Sequence, residues 1–306
     1  MNSFGYVRAG SIDEAVALLN TPGVNSRALA GGTDLMVAVR AGEAGSFDRV
    51  VDISTIPDLR GIAMVGSRAR IGAATTFSEI MRSGLIQQHA RFLADAAHSV
   101  RTMQITNMAT LGGNVANAAA AADTPPVLVC LDAEAIIATP AGQQRMPVAS
   151  LLRGHLKNTL PAGGLIVAFE FDPLSVDTRN TFLKLGRRNA LTISRINMAA
   201  TGRLQADGHI AEARLVAGAC FSRPRRAREV EALLQGRLPS AALFAEAGQL
   251  LMRLMVQEVG QRWSTEYKAL ALAAMVEEAL ETVLPLPANE TETVRSIGVK
   301  SVESMR

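Results

Sequence analysis

Residues 109–126 form a stretch that can contribute little to a hydrophobic core. Its sequence is ATLGGNVANAAAAADTPP, in which only Leu111 and Val115 carry bulky apolar side chains. The two adjacent glycines lack Cβ atoms, so a flat or extended ligand can approach the main chain there. This stretch, in the middle of the chain, therefore predicts a ligand-binding surface formed by main-chain atoms.

Polar side chains recur along this stretch between glycines and alanines. They are Thr110, Asn114, Asn117 and Asp123, and each can form directional hydrogen bonds. Two alternatives remain open. The alanine run is also typical of a tightly packed helix, and Asp123 is also compatible with an exposed turn before the two prolines.

A second glycine pair lies in AGGTDLM (30–36), between a predicted strand and a predicted helix that Thr33 or Asp34 is placed to cap. A glycine pair there lets backbone N–H groups face an anion, and the helix N-terminus adds its positive dipole. Taken alone, a glycine pair between a strand and a helix is more often a plain turn. The pair in PAGGLI (161–166) is a control, since no Thr, Asn or acid follows it, and it predicts a simple turn.

Composition excludes several classes of protein. Its length of 306 residues suits two globular domains, or one large domain with subdomains, and 48% of the residues are hydrophobic. Only 4% are aromatic, so the chain lacks base-stacking platforms for nucleic acid. The four histidines are isolated and no CxxC occurs, which excludes a zinc or iron–sulfur ligand set in this chain. Cys130 and Cys220 lie in apolar stretches and are predicted to be free, buried thiols.

No targeting or membrane segment is evident in the sequence. The N-terminus has no basic region followed by an apolar run, and no window reaches the ~18 apolar residues of a spanning helix. We therefore expect a cytoplasmic protein without a membrane span.

Hydrophobic periodicity predicts an α+β fold in two parts, separated by the polar segment 172–181. SIDEAVALLN (11–20) predicts a helix capped by Ser11, and TPPVLVCLDA predicts another, with Thr124 as its cap. The second part, residues 176–285, predicts helices packed on a small antiparallel sheet, and 286–306 is predicted to be a polar tail or interaction segment.

The two glycine segments together resemble the FAD-binding medium subunit of the xanthine dehydrogenase and carbon monoxide dehydrogenase family of molybdenum hydroxylases. Three further segments are similar in the same order: RIGAATTFSEI, FLKLGRRNALTISRINMA and RWSTEYKALAL. The resemblance covers roughly residues 4–284. It implies a p-cresol-methylhydroxylase-type FAD-binding fold over 1–175, with subdomains of about 1–55 and 56–175, followed by a C-terminal flavoprotein domain over 176–285.

The resemblance also implies which residues bind FAD. The first loop would wrap the pyrophosphate through Ala30, Gly31, Gly32, Thr33, Asp34 and Leu35. The second would surround the diphosphate, ribityl and flavin region with Thr110, Gly112, Gly113, Asn114 and Asn117. Asp123 would bond polar groups of the cofactor, Ile166 would pack against it, and Lys184 would lie near the reactive face of the flavin. For Lys184, a surface lysine on a strand is the open alternative.

The chain departs from the family pattern just before the second loop. The family commonly has Gln-Ile-Arg-Asn there, whereas this chain has QITN (104–107), with Thr106 in place of the arginine. The role of that charge in the family therefore does not transfer to this chain. Ala119 and Ala120 replace a small-Pro pair, and no four-cysteine insertion for an additional iron–sulfur cluster is present.

The function implied by the resemblance is that of an FAD-carrying electron-transfer subunit. A small subunit with two [2Fe–2S] clusters and a large molybdopterin subunit would complete the enzyme, for example as a dimer of heterotrimers. Electrons would pass from the molybdenum site through the clusters to FAD, then to NAD⁺, O₂ or another acceptor. No catalytic residue is assigned, since flavin reoxidation by hydride or electron transfer requires no proton-transfer side chain.

Two alternative functions are weighed against this one. A stand-alone flavin-dependent oxidoreductase, resembling the UDP-N-acetylenolpyruvoylglucosamine reductase type, would need a catalytic Ser or Glu in its own substrate pocket, and the second half shows no such motif. A flavin-less assembly protein is the other alternative, and the intact polar positions in both glycine loops argue against it.

Overall fold

The computed structural model describes residues 4–100, 102–188 and 192–286. Within these residues there are four sheets with helices between their strands in the chain, and parallel and antiparallel strand pairs occur in different sheets. The α+β class predicted from the sequence is confirmed.

The first sheet consists of three parallel strands joined by two helices. Its elements are β1 (Gly5–Arg8), α1 (Ile12–Leu19), β2 (Ser26–Leu29), α2 (Leu35–Ala41) and β3 (Arg49–Asp52). β3 lies in the centre and pairs in parallel with both β1 and β2. The predicted cap of the first helix is confirmed, since Ser11 Oγ accepts a hydrogen bond of 3.1 Å from the Glu14 N–H. The glycine turn at 31–32 lies in the β2–α2 crossover.

The second sheet has five antiparallel strands with a long helical excursion inserted between its second and third strands in the chain. A 3₁₀ turn at Pro57–Leu59 leads into it. The elements are β4 (Ile62–Val65), β5 (Arg68–Gly72), α3 (Phe77–Arg82), α4 (Gly84–His89), α5 (Arg91–His98), α6 (Met103–Thr106), α7 (Leu111–Asn117), α8 (Thr124–Cys130), β6 (Glu134–Thr139), β7 (Gly142–Pro147), α9 (Val148–Leu151), β8 (Leu152–Gly154), β9 (Lys157–Asn158) and β10 (Leu165–Phe171). The strand order is β4-β5-β10-β6-β7, and β8 and β9 form a separate hairpin.

The third sheet is antiparallel and carries three helices after it in the chain. Its strands are β11 (Arg179–Leu185), β12 (Ile196–Leu204) and β13 (Ile210–Gly218), and the helices are α10 (Arg228–Leu234), α11 (Ala241–Val259) and α12 (Thr265–Val283). α12 packs against α11 and β12, and their buried faces form one hydrophobic cluster. This arrangement confirms the predicted sheet-and-helix composition of the second half.

Helix α8 joins the two halves of the molecule. All seven of its residues are buried, and it packs on β12 and β13 from the second half as well as on α5 from the first. Ala199 and Val216 of the third sheet accordingly belong to the same hydrophobic cluster as α8. The alanine run at residues 118–122, which ends just before α8, therefore leads into the junction of the two halves.

The predicted cap of α8 is wrong by one residue. Asp123 holds the cap position and Thr124 is the first helical residue, while the Asp123 side chain makes no capping hydrogen bond. The Thr124 hydroxyl instead donates to Asn114 Oδ1 at 2.7 Å, so tertiary contacts override the local capping preference. Asp34 likewise holds the cap position of α2, without a side-chain capping bond.

The predicted domain boundaries fall between sheets. Position 55 lies between β3 and β4, and position 175 lies between β10 and β11. Of the predicted tail, Leu286 packs against the cluster of the second half, and residues 287–306 lie outside the described residues.

Both cysteines are free and buried, as predicted. Burial raises the pKa of each thiol to about 12. Because the thiolate is the reactive form, we expect neither Cys130 nor Cys220 to react with a chromogenic disulfide reagent at pH 8 in the folded protein. Release of about two equivalents of thiolate after denaturation is the control, and fast release before denaturation would contradict the burial of these thiols.

Candidate functional site

The two glycine segments line one cleft of about 470 Å³. The first segment reaches it from the β2–α2 connection, and the second reaches it along α7. Ten of the residues singled out in the sequence line this cleft: Ala30, Gly31, Gly32, Thr33, Asp34, Leu35, Thr110, Gly113, Asn114 and Asn117. Two segments that are about 80 residues apart in the chain thus form one site.

Gly31 brings the two segments into direct backbone contact. A Cβ atom at this position would overlap the carbonyl oxygen of Met108 and lie 2.6 Å from its carbonyl carbon. Since these are main-chain atoms, no side-chain rotation can relieve the overlap. Position 31 therefore requires glycine, because the second segment approaches its backbone too closely for any Cβ atom.

The first segment offers a row of main-chain donors to the cleft. Within the described part of the chain, the N–H groups of residues 31–35 have no hydrogen-bond partner, whereas the N–H of Met36 already bonds the carbonyl of Gly32. Successive free N–H groups of this kind form an anion-binding concavity. A phosphate group is the ligand chemistry that this concavity fits.

The second segment uses its main-chain donors internally. The N–H groups of Leu111 and Gly112 bond the carbonyls of Thr75 and Ala73, at 3.1 and 2.8 Å, and the Gly113 N–H bonds Thr110 Oγ1 at 3.1 Å. α7 is therefore capped within the protein. Its contribution to the cleft is a close backbone surface with the amides of Asn114 and Asn117, rather than a set of free N–H groups.

Charged side chains contribute little positive charge to the cleft. Among the described residues, Arg27, Asp34 and Glu43 are the charged residues that line it. One cation and two carboxylates cannot neutralise a diphosphate. Main-chain N–H groups must therefore supply most of the favourable electrostatics for such a ligand.

The β8–β9 hairpin forms a wall of the cleft that the sequence analysis missed. Leu156 and Asn158 line it. The Leu156 N–H bonds the carbonyl of Ala118 at 2.8 Å, and Asn158 Nδ2 donates to the carbonyl of Ala116 at 2.6 Å. The hairpin thereby holds the C-terminal end of α7, but neither residue belongs to a glycine-rich or otherwise distinctive motif that could have identified it.

The alanine run is a turn rather than a packed helix. α7 ends at Asn117, and Ala118 adopts a left-handed conformation with φ of 49°. Residues 118–123 then lead directly into α8. The alternative of a tightly packed helix through the alanines is therefore wrong.

Asp123 and Lys184 lie together, outside the lining of this cleft. Asp123 is buried, and Lys184 Nζ lies 2.7 Å from its Oδ2 with only 14% of the lysine side chain exposed. Both open alternatives, the exposed turn acid and the surface lysine, are wrong. In this structure each of the two charges satisfies the other.

The remaining predicted residues also lie outside the cleft lining. Gly112 packs against Ala73, because a Cβ at Gly112 would lie 2.8 Å from the Ala73 carbonyl oxygen. Ile166 is 5% exposed and belongs to the core cluster that includes α7. Their contact with a cofactor stays a prediction.

Thr106 occupies a buried position that does not line the cleft. It is 5% exposed, its hydroxyl donates to the Met103 carbonyl at 3.2 Å, and Ser78 Oγ lies 3.3 Å away. A small hydroxyl fits these contacts. The departure from the family pattern is therefore accommodated by local packing with Ser78.

Replacing Gly113 with valine should weaken ligand binding while leaving the chain folded. A Cβ there meets only Thr110 Oγ1, at 2.9 Å, and this hydroxyl can rotate. Overpacking costs about 1–3 kcal/mol, which corresponds to roughly a tenfold to hundredfold rise in the FAD dissociation constant. Fluorescence titration measures this dissociation constant. Gly84→Val is the control, because nothing lies within 4 Å of a Cβ at Gly84. Equal affinity in both variants would contradict the assignment of this wall.

The described residues contain neither a helix that could span a membrane nor a cluster of metal-ligating side chains. No helix among them has the length and hydropathy to cross a bilayer. No group of three or more His, Cys, Asp or Glu side chains is arranged to hold a metal ion.

Two protein families match the chain, one for each half. Residues 2–172 match the family described as the FAD binding domain in molybdopterin dehydrogenase. Residues 181–283 match the CO dehydrogenase flavoprotein C-terminal domain. Residues 173–180, between the end of β10 and the first residues of β11, separate the two matches.

Individual relatives match over nearly the whole chain. The xanthine dehydrogenase FAD-binding subunit of Escherichia coli O157:H7 is 32% identical over 85% of this chain and 87% of its own length. The 6-hydroxypseudooxynicotine dehydrogenase complex subunit alpha of Paenarthrobacter nicotinovorans is 29% identical, covering 92% of this chain and 95% of its own. A chain of the reconstituted CO dehydrogenase from Oligotropha carboxidovorans superimposes with a TM-score of 0.87 at 25% identity, covering 94% of this chain and 99% of that one.

Proposed function

We propose a function from one premise: this chain belongs to the FAD-binding subunits of the xanthine and carbon monoxide dehydrogenase family of oxidoreductases. Its part in such an enzyme is to carry FAD, to receive electrons from [2Fe–2S] clusters of a small partner subunit, and to pass them to NAD⁺ or another acceptor. A large molybdopterin subunit completes the complex, for which we propose a dimer of heterotrimers. The cytoplasm as its compartment stays a prediction from the sequence.

The row of free N–H groups at residues 31–35 is the observation that carries this proposal. They belong to residues that line the cleft together with Thr110, Gly113, Asn114 and Asn117. Bound there, the diphosphate of FAD would accept hydrogen bonds from these N–H groups. The cleft would thus hold the diphosphate without a lysine side chain. The bare surface of α7 would let the extended cofactor lie close to the main chain.

The chain's own residues bind and orient, and the cofactor supplies the redox chemistry through its flavin ring. The asparagine amides of α7 can donate to or accept from the polar groups of FAD, because each amide carries both kinds of group. Asn114 Oδ1 already accepts from Thr124, which leaves its Nδ2 group as the donor for the ligand.

Binding of FAD by the purified full chain tests this proposal. We expect a yellow protein, or one that becomes yellow with FAD, whereas riboflavin, which lacks the diphosphate, should bind at least tenfold more weakly. We expect no oxidation of heteroaromatic or aldehyde substrates by this chain alone, and turnover only after addition of the two partner subunits. A chain that stays colourless with excess FAD would overturn the proposal, and substrate turnover by the chain alone would favour a stand-alone flavoenzyme.

A further inference from the structure

The carboxylate of Asp123 connects the two halves of the molecule. Its Oδ2 accepts from Lys184 Nζ at 2.7 Å and from Ser99 Oγ at 3.0 Å. Its Oδ1 accepts from Ser194 Oγ at 2.6 Å and from Asn197 Nδ2 at 2.8 Å. Three of these donors belong to the second half of the chain, while Asp123 belongs to the first.

Three of these hydrogen bonds are firm, and the one from Ser99 is the longest of the four. Ser99 Oγ has a single proton and lies closer to the carbonyl of Ala96, at 2.7 Å, than to Oδ2. Lys184, Ser194 and Asn197 therefore connect the carboxylate to the second half of the chain. Contact of Asp123 with a cofactor stays a prediction.

Ser194 and Asn197 are buried and fixed in place. Ser194 is 5% exposed and Asn197 is fully buried. Asn197 pairs with Lys184 across β11 and β12, so both side chains meet the same carboxylate from adjacent strands. Gly218, opposite Asn197 on β13, leaves the space that the amide occupies, since a Cβ there would overlap Asn197 Oδ1.

A short chain of contacts leads from these residues to the cleft. Asn197 Nδ2 also lies 3.2 Å from the carbonyl of Ala122, so it holds the end of the alanine turn as well as Asp123. The next residue, Thr124, donates to Asn114 Oδ1 at 2.7 Å. Asn114 lines the cleft. Asp123 is therefore connected to the cleft wall through the contact between Thr124 and Asn114.

From these contacts we infer that Ser194 and Asn197 are positioning residues for FAD: they hold Asp123 and the alanine turn so that Asn114 and Asn117 keep their places in the cleft wall. This inference rests on the proposed function, since it concerns the same cleft. It assigns a binding role to residues of the C-terminal half that do not themselves line the cleft.

Affinity for FAD in matched variants tests the inference. Ser194→Ala and Asn197→Leu remove the two donors to Oδ1. Hydrogen bonds to charged groups are worth enough to predict roughly a tenfold rise in the FAD dissociation constant for each. Thr201→Val is the control, because Thr201 is a buried residue of the same strand that does not contact Asp123. Ser194→Thr keeps the hydroxyl and should retain wild-type affinity.

Two further readouts separate positioning from a general loss of stability. The visible circular dichroism of bound flavin should change in Ser194→Ala and not in Thr201→Val. In a double-variant cycle, Asn114→Ala and Asn197→Leu should be non-additive in FAD affinity, because both act on the same wall. Ser194→Ala removes a single hydroxyl, so it keeps the test available should Asn197→Leu fail to fold.

Wild-type-like affinity in Ser194→Ala, or effects equal to those of Thr201→Val, would overturn the inference. Additivity in the cycle would overturn the route through Asn114. Both results would leave the proposed function intact as long as the wild-type chain binds FAD. Failure of the wild-type chain to bind FAD would instead count against the proposed function.

Discussion

Replacing Gly31 with alanine is expected to abolish FAD retention and to lower the free energy of unfolding. The added Cβ would overlap the Met108 carbonyl, and the two backbones must separate to relieve it. Overpacking of this kind costs about 1–3 kcal/mol, and we expect the upper end because only main-chain atoms can move. Separation of the segments also removes the cleft wall that faces the free N–H groups of residues 31–35.

Urea denaturation measures the loss of stability from Gly31→Ala, and FAD titration measures the loss of binding. Gly84→Ala is the matched control, since a Cβ at Gly84 has open space and the residue begins a helix, where alanine is favourable. We expect this control to be at least as stable as the wild type. A Gly31→Ala protein that retains FAD as well as Gly84→Ala would show that the two segments do not need this close contact.

Replacing Asp123 with alanine should have the second large effect. It would leave the ammonium of Lys184 buried, with only two contacts of 3.4 Å to Ser99, and would remove the acceptor of Ser194 and Asn197. Breaking a buried ion pair by deleting one partner costs about 3–5 kcal/mol. FAD affinity should fall as well, because Asp123 leads directly into the contact between Thr124 and Asn114.

Asp132→Ala is the control at the other end of α8. Its side chain is 49% exposed, and its arginine partners, Arg214, Arg226 and Arg228, each keep another ion pair with Glu212 or Glu231. The backbone of Asp132 has a φ of 49°, which alanine tolerates less well than aspartate, so we expect a loss of about 1–2 kcal/mol, below that of Asp123→Ala. Removing both charges with the double variant Asp123→Asn and Lys184→Met should be less destabilising than Asp123→Ala, since no unpaired charge stays buried. Equal unfolding free energies for Asp123→Ala and Asp132→Ala would contradict the role of this carboxylate.

The sequence predicted the local elements of the fold well. Ser11 caps its helix, and the glycine pair at 31–32 turns from strand to helix. Each of these depends on residues that are neighbours in the chain. The predicted cap at Thr124 was wrong because a residue that is not a neighbour in the chain intervenes. The Thr124 hydroxyl donates to Asn114, ten residues away.

The candidate site was predicted in part. Ten of the residues that line the cleft come from the two glycine segments, whose lack of bulky side chains is visible in the sequence. The β8–β9 hairpin, with Leu156 and Asn158, carries no such signal. It reaches the site only because its backbone and side-chain amides bond the carbonyls at the end of α7.

Where the backbone lacks side-chain bulk follows from the residue types alone, because the absence of a Cβ or of a large apolar group is a property of single residues. What approaches those positions depends on tertiary packing: the Met108 carbonyl at Gly31, and the donors from the second half at Asp123. Lys184, Ser194 and Asn197 lie 61, 71 and 74 residues beyond Asp123 in the chain. Contacts at such separations follow from how α8 packs on the third sheet, which no local pattern of residues encodes.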